Sequence, residues 1–161
     1  MKNNYILSDE IIFEAKPEAV PYNYRISYKL GQLCLILAMC CKRGGCSLYK
    51  LHMISTALYT KEEMRKLKEY SEGSVYIYPV IRFDPAINRA VKYALADKLI
   101  FQQANGLFRL TPKGKDFVAL IIKDKKLMIN EKSFLSELSN KLTEAKIKEL
   151  MTIWRYSDVG D

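Results

Sequence analysis

The cysteines and the single histidine are the side chains best suited to bind a metal. Cys41, Cys46 and His52 follow one another in the pattern Cys-x4-Cys-x5-His, and all three belong to the residue types that bind zinc. This spacing differs from the common two-residue zinc knuckle, and no second pair of ligands follows downstream. We therefore expect no metal and no cofactor. The preferred interpretation is a set of reduced, mostly buried thiols, and a zinc site is the lesser alternative.

Enzyme chemistry has little support in the residue pattern. With one histidine, the chain lacks a Ser/His/Asp or Cys/His set at motif spacing for acid–base or nucleophilic catalysis. Gly106-x7-Gly114-Lys115 superficially resembles a phosphate-binding loop. Its spacing is wrong, however, and Asp116 stands where that loop needs a serine or threonine. We predict that the chain is not an enzyme and has no catalytic residues.

The composition predicts a globular protein of one domain. The chain has 161 residues, of which 49% are hydrophobic, and its mean hydropathy is -0.13. The longest apolar run, Leu33–Cys41, is about half of what a bilayer crossing needs. The first residues lead directly into Asp9 and Glu10 without the apolar stretch of an export signal. We expect a cytoplasmic protein with no membrane contact.

The net charge of +8 is concentrated in the middle of the chain. Residues 21–60 carry five cations and no anion, and residues 85–126 carry nine cations and three anions, a net +6. Residues 1–20 carry two cations and four anions, a net -2. A basic middle of this kind suits an anionic polymer or an acidic protein surface.

Hydrophobic periodicity and capping residues predict seven helices and a hairpin. The N-terminal caps are Ser47, Thr60, Asp84, Thr111 and Thr143. The helices cover about 23–42, 48–58, 61–71, 85–98, a stretch from 112 that buries Phe117, Leu120 and Ile121, and then 131–141 and 143–156. The helix at 85–98 is expected to bury Leu95. The strands cover 75–78, 99–103 and 107–110, with the turn at Asn105-Gly106, the strongest short hairpin signal.

This order predicts a mainly α fold with a small β hairpin, in the α+β class. The segment "ALADKLIFQQANGLFRLTPKG" resembles the many winged helix-turn-helix domains in which a third helix runs directly into a two-stranded wing. The resemblance implies an N-terminal arm at 1–22 and a winged-helix domain at 23–122. A segment at 60–84 is inserted between its second and third helices, and helices at 123–161 extend the C-terminus.

The third helix of that domain suggests contact with DNA. Asn88, Arg89 and Lys92 are of the types that read bases or bind phosphates, and the further candidates for phosphate contact are Arg109, Lys113 and Lys115. The insertion at 60–84 could sit over this surface, because a DNA-reading helix-turn-helix normally has a short turn there. In the alternative interpretation these side chains are ordinary solvated positions.

Three segments resemble a more specific group of proteins. They are "GGCSLYKLH" at 44–52, "DPAINRAVKYAL" at 84–95 and "LTPKGKDFV" at 110–118. They are similar to the small winged-helix middle component of bacterial three-component ABC systems, which include the Lamassu-type defences against phage and plasmids. The resemblance implies two partners, an SMC-like ATPase and a variable effector that is often a nuclease. A free-standing DNA-binding transcriptional regulator is the alternative, and it would normally be a symmetric dimer.

Both ends of the chain offer apolar residues for a partner subunit. The acidic N-terminal arm carries Tyr5, Ile6, Ile11, Ile12 and Phe13 outside any clear helix pattern. The last predicted helix carries Trp154, a residue type enriched at interface anchors. Packing against the rest of the same chain is the alternative in both places.

Overall fold

A computed structural model describes residues 25–41, 43–74 and 82–157. Within these ranges the chain forms seven helices and one two-stranded antiparallel sheet, which confirms the predicted mainly helical α+β class. No helix in these ranges has the length and apolarity needed to cross a membrane. The elements are α1 (Ile26–Cys40), α2 (Leu48–Ala57), α3 (Lys61–Ser71), α4 (Pro85–Ala96), β1 (Ile100–Gln102), β2 (Phe108–Leu110), α5 (Pro112–Lys123), α6 (Ile129–Leu138) and α7 (Glu144–Ser157).

Helix α1 is the centre of the core, because its neighbours cover it on several sides. It packs against α2, α4, α5 and α6 and also meets β2. An unbroken run from Gly31 to Leu37 is buried, whereas a surface helix would bury only one stripe. At Gly31 the helix lies close to its neighbours, since a Cβ built there would meet Met128 Sδ at 3.3 Å and Ile121 Cδ1 at 3.5 Å. The other helices are therefore arranged around α1.

The predicted caps fix where the helices begin. A side-chain oxygen of each capping residue accepts the backbone N–H two or three residues later, which satisfies a donor that has no partner inside the helix. The pairs are Ser47 with Lys50, Thr60 with Glu63, Asp84 with Ala86, Thr111 with Gly114, and Thr143 with Lys146. All five capping predictions are confirmed.

The hairpin forms at the predicted turn, with shorter strands than the pattern indicated. Ile100 pairs with Leu110 and Gln102 with Phe108, and Gly106 has a positive φ of 83° that a glycine adopts without strain. The Asn105 side chain accepts the N–H of Leu107 at 3.1 Å, which closes the turn. The loop is thus longer than the two-residue turn most typical of an Asn-Gly pair.

An additional strand segment joins this sheet from the connection between α1 and α2. The Cys46 N–H donates to the Phe108 carbonyl at 2.9 Å, and the Phe108 N–H donates to the Cys46 carbonyl at 2.8 Å. Cys46 therefore lies against the outer edge of β2, antiparallel to it. No sequence pattern indicates this pairing, because a single residue has no periodicity.

Two predicted core residues are wrong, and the helical period explains both. Leu95 is 37% exposed and Leu120 is 67% exposed. On α5 the buried stripe consists of Gly114, Val118 and Ile121, and Leu120 lies two residues from Val118, on the other side of the helix. Leu95 follows the buried Ala94 at the edge of the stripe on α4.

The ends of the predicted elements also shift. The helix expected at 131–141 is α6 at Ile129–Leu138, and the helix expected at 143–156 is α7 at Glu144–Ser157. Errors of this size are usual at helix ends. The strand predicted at 75–78 and the arm at 1–22 lie outside the described residues.

Replacing Gly114 by alanine is expected to destabilise the fold by about 1–3 kcal/mol or more, although alanine favours helices. A Cβ at Gly114 would lie 2.0 Å from the Leu99 carbonyl oxygen, so the start of α5 would have to move away from the base of the hairpin. The measurement is the free energy of unfolding in urea.

Gly44→Ala is the matched control. A Cβ at Gly44 meets nothing within 4 Å, and the expected change is within about 0.5 kcal/mol. Equal stability of the two variants would contradict a close approach of α5 to the hairpin.

Candidate functional site

Helix α4 presents the side chains with the best geometry for binding an anionic surface. One face, which includes Ile87, Ala90 and Val91, is buried against α1. The other face exposes Asn88, Arg89, Lys92 and Tyr93. The helix contains two cations, Arg89 and Lys92, and no acid, so the middle of its outer face is basic.

A buried ion pair fixes the beginning of α4. Lys29 Nζ of α1 lies 2.7 Å from Asp84 Oδ2, and the two side chains are 0% and 3% exposed. Asp84 Oδ1 accepts the N–H of Ala86, so the same carboxylate caps α4. Asp84 was predicted as a cap, whereas Lys29 was not among the predicted functional residues. A signal for Lys29 existed, because it lies four residues before the buried Leu33, within the apolar stripe of α1.

The remaining partners of this pair come from α1 and α2. Lys29 Nζ donates to Gln32 Oε1 at 3.1 Å and to Ser55 Oγ at 3.0 Å, so that with Asp84 its three protons all have acceptors. The Tyr59 hydroxyl donates to Asp84 Oδ2 at 2.9 Å. We call Lys29, Gln32, Ser55, Tyr59 and Asp84 the polar core network. Among the described residues, no buried side-chain nitrogen or oxygen lacks a partner.

The electrostatics of the network favour an ionised Asp84. Burial is the largest single effect and acts to raise the pKa of its carboxyl group. The hydrogen bond and charge of Lys29, the N–H of Ala86 and the Tyr59 hydroxyl together outweigh burial, so the pKa falls below its ordinary value. For Lys29, burial is the largest effect and lowers the pKa of the ammonium group, against the opposing effect of Asp84. Each ion is therefore stable in the core only while the other is present.

His52 connects the network to the exposed face of α4. Its Nδ1 accepts the backbone N–H of Asp84 at 2.9 Å, and its Nε2 lies 3.1 Å from Asn88 Oδ1. Because Nδ1 is an acceptor, the proton of the neutral ring is on Nε2 and is donated to Asn88. The buried imidazole thus orients the Asn88 side chain through this hydrogen bond. The ring of the exposed Phe83 packs edge-on against it at 5.0 Å.

These contacts bear on the zinc alternative for Cys41, Cys46 and His52. Both ring nitrogens of His52 are engaged with Asp84 and Asn88, so the ring could reach a metal only after breaking one of these bonds. In the part of the chain that the structure describes, no group of three or more His, Cys, Asp and Glu residues is arranged to hold a metal ion. The cysteines are free thiols, and burial raises the pKa of Cys34 to about 12.

The other DNA-binding candidates lie in two further places. The Lys113 ammonium donates to the Asp97 carbonyl at 2.8 Å, where it caps the end of α4. Arg109 and Lys115 line a cleft together with Arg43, which we call the basic cleft. The six candidate residues therefore lie in three places, which are the exposed face of α4, the C-terminal end of α4 and the basic cleft.

Residues 60–74 of the inserted segment pack against other helices than α4. Helix α3 packs against α2 and α6. Lys68 of α3 pairs with Glu137 of α6 at 2.9 Å, and Glu72, which follows α3, pairs with Lys141 at 2.9 Å. Residues 75–81 of the insertion lie outside the described ranges. The expectation that the insertion sits over the exposed face of α4 thus finds no support in residues 60–74.

Of the candidate partner-binding residues, only Trp154 lies within the described part of the chain. Tyr5, Ile6, Ile11, Ile12 and Phe13 lie outside the described residues. Trp154 is half-buried on α7 and packs against the core, next to the buried Leu150. One side of the indole is therefore used within the chain.

The pH dependence of stability should report on His52. Burial lowers the pKa of this histidine, and the Asn88 hydrogen bond opposes that effect. Above about pH 6.5 the ring is neutral in both the folded and unfolded states. As the pH falls below that value, the unfolded chain binds the proton first, so the free energy of unfolding should decrease until the pH passes the lower folded pKa. Urea unfolding across this range measures the slope.

His52→Asn is the matched variant, because its Oδ1 can take the place of Nδ1 as the acceptor while the side chain cannot titrate. Its overall stability should be lower, and its slope in this pH range should be flatter than that of the wild type. The same slope in both proteins would show that His52 does not titrate as described.

The exposed face of α4, the basic cleft and the polar core network are the features from which a function can be argued. Comparison with protein-family models, with curated proteins and with solved structures found no match.

Proposed function

We propose that this chain is a non-catalytic winged-helix accessory subunit of a bacterial complex between an SMC-like ATPase and an effector, of the Lamassu type that acts against phage or plasmids. In this role it joins the other subunits and contacts duplex DNA through phosphates, irrespective of sequence. The single observation that carries the DNA contact is the exposed face of α4, which presents Arg89 and Lys92 on a helix that contains no acidic residue. The assembly role is carried by the sequence resemblance.

The order and pairing of the elements support a winged helix. The β1–β2 hairpin directly follows α4, and in a winged helix it would be the wing. Cys46, between α1 and α2, pairs with the edge of β2 through a single antiparallel bridge. With α1 and α2 as the first two helices and α3 in the insertion, α4 would be the third helix, which lies in the major groove in DNA-binding winged helices.

The location of the polar groups supports a non-catalytic role. Lys29, Asp84 and His52 are buried titratable groups of the core. Their hydrogen-bonding atoms bind one another, neighbouring side chains or backbone N–H groups of the same chain. A catalytic group has to reach a substrate, whereas these side chains hold three helices together.

Exposed apolar residues around the junction of α5 and α6 support a role in assembly. Leu120 and Ile122 on α5 and Leu127 and Ile129 after it are each at least 45% exposed. The four lie within ten positions of the chain, and Leu120 and Ile122, which are two residues apart, face different sides of α5. A partner subunit that covered them would remove this apolar area from water.

A DNA-binding transcriptional regulator is the second candidate. It is favoured by the accessibility of α4, since Asn88, Arg89 and Lys92 are all exposed and residues 60–74 of the insertion include α3, which packs against α2 and α6. The two candidates differ in what α4 would read. A regulator distinguishes base sequences, whereas an accessory subunit of this type needs only the charge of the backbone.

Reversing two charges on α4, by Arg89→Glu with Lys92→Glu, should weaken binding to duplex DNA of mixed sequence. The slope of log affinity against log salt should fall by about 2, because each lost phosphate contact contributes about 0.9. Fluorescence anisotropy at several salt concentrations measures both quantities.

Lys125→Glu with Lys126→Glu makes the same change in net charge on exposed residues beyond α5 and should leave the slope nearly unchanged. Tight binding of the wild type to one palindrome, little affected by competitor DNA, would support the regulator. Equal losses from both double variants would show that α4 is not the contact surface.

Trp154→Ala should reduce association with the ATPase subunit by about 2 kcal/mol or more if the outer side of the indole is an interface anchor. Removal of residues 1–15 should likewise weaken association and leave a folded domain, because the described core begins only with α1. Co-purification of the co-expressed subunits measures association, and thermal melting of the isolated chain measures folding.

Tyr156→Ala, on the same helix and 77% exposed, controls for general effects on α7. A lower melting temperature with unchanged co-purification would place Trp154 in the core alone. Full co-purification of both the Trp154 variant and the truncated chain would move the docking surface elsewhere.

A further inference from the structure

The basic cleft combines three cations with an apolar floor. It has a volume of about 270 Å³ and lies between the end of α1, the turn at 43–45, β2 and the start of α5. Of the described residues that line it, none is acidic. The charged residues are Arg43, Arg109 and Lys115, and apolar groups come from Leu37, Cys41 and Leu110.

Close backbone packing keeps Arg43 and Arg109 beside each other. Gly45 has a positive φ of 94°, and a Cβ built on it would lie 2.8 Å from the Phe108 carbonyl oxygen and 3.0 Å from Arg109 Cγ. The Gln103 side chain donates to the Gly44 carbonyl at 2.8 Å. The turn that carries Arg43 is therefore fixed against the hairpin, both at β2 and at Gln103 in its loop.

A second set of contacts places Lys115 at the same cleft. Thr111 caps α5, and the Lys115 N–H donates to the Thr111 carbonyl at 2.9 Å. Gly114 brings this first turn of α5 against the Leu99 carbonyl, where no larger residue fits. The three cations thus come from three elements that are joined through the hairpin.

The surroundings strengthen the positive potential. Lys50 is 3% exposed, and its ammonium donates to the Cys40 carbonyl at 2.7 Å, at the end of α1. This contact compensates the partial negative charge that the last carbonyls of α1 would bring to the cleft. The N-terminus of α5, which is the positive end of that helix, lies at the same place.

We propose that the basic cleft binds a short peptide segment of a protein partner in which acidic residues flank an aliphatic or aromatic residue. The cations would pair with the carboxylates, and the apolar side chain would cover Leu37, Cys41 and Leu110. This proposal rests on the assembly role proposed above, and it names the part of the partner that docks.

The shape and lining favour a peptide over nucleic acid. A duplex offers phosphates to protruding cations, and its phosphate backbone has no protruding apolar group to fill a concave floor. A small inorganic anion would pair with the cations but would leave the apolar side chains of Leu37 and Leu110 in contact with water. An acidic peptide with an apolar anchor satisfies both the charges and the floor, in the way that peptide-binding grooves usually combine them.

Selection from a random dodecapeptide display library tests the proposal on the purified full chain. Wild-type protein is the bait, and the Arg43→Glu with Arg109→Glu variant is the bait for counter-selection. The expected result is a consensus with Asp or Glu beside Leu, Ile or Phe that is enriched on the wild type alone. No consensus, or one that is acidic without an apolar position, would overturn the proposal.

Affinities of the selected peptide then locate the site. Arg43→Gln, Arg109→Gln and Lys115→Gln should each raise the Kd of the selected peptide about tenfold, which corresponds to about 1.4 kcal/mol. Arg89→Gln and Lys92→Gln on α4 should change this Kd less than about twofold. Thermal melting checks that each variant is folded, and glutamine keeps most of the side-chain stem.

Competition between the peptide and a short DNA duplex tests whether the basic cleft binds nucleic acid instead of a peptide. The duplex should not displace the peptide, and the cleft variants should bind duplex as the wild type does. Displacement, with equal loss of duplex and peptide binding in the cleft variants, would assign the cleft to nucleic acid and overturn the proposal. The selection uses no ATPase subunit, so failure of the complex to form would refute the proposed function and leave the peptide result intact.

Discussion

The ion pair between Lys29 and Asp84 is the interaction on which the arrangement of the helices depends. Taking either charge out of water costs several kcal/mol, and the cost is offset only when the partner is close and the remaining hydrogen-bonding capacity is used. Here the ammonium has three acceptors, and the carboxylate accepts from Tyr59 and from the start of α4. Loss of one partner of such a pair typically costs about 3–5 kcal/mol. Helices α1, α2 and α4 are therefore held in one relative position.

The same network carries this order to the surface. Asp84 caps α4 with its side chain and donates its backbone N–H to His52, and the other side of the imidazole holds Asn88. A residue on the exposed face of α4 is thus oriented by groups in the core. An exposed side chain that is fixed before binding loses less conformational entropy on binding than a free one. The α4 face is in this respect preorganised, whatever polymer or protein it meets.

The positive charge of the chain is divided between places with different surroundings. The outer face of α4 is open and carries its cations on one helix, which suits a repeating phosphate backbone. The basic cleft is concave, has an apolar floor and takes its cations from three elements. On α3 the charges neutralise one another instead, since Arg65 pairs with both Glu62 and Glu69. An overall charge of +8 therefore describes no single surface, and the two basic regions are suited to different partners.

The sequence by itself determined the features that depend on near neighbours. Ser47, Asp84 and Thr111 cap helices because a cap needs only a short side chain and an N–H two or three residues away. The turn at Asn105-Gly106 likewise follows from the freedom of glycine at positive φ. Tertiary structure alone decided which distant groups meet. The place of Lys29 in the apolar stripe of α1 indicates that it faces the core, but nothing near it in the sequence identifies Asp84 as its partner. Cys46 likewise carries no sign that it will pair with Phe108. Arg43, Arg109 and Lys115 line one cleft only because the packing of α1, β2 and α5 brings separate stretches of chain together. No interaction between near neighbours in the sequence encodes this arrangement.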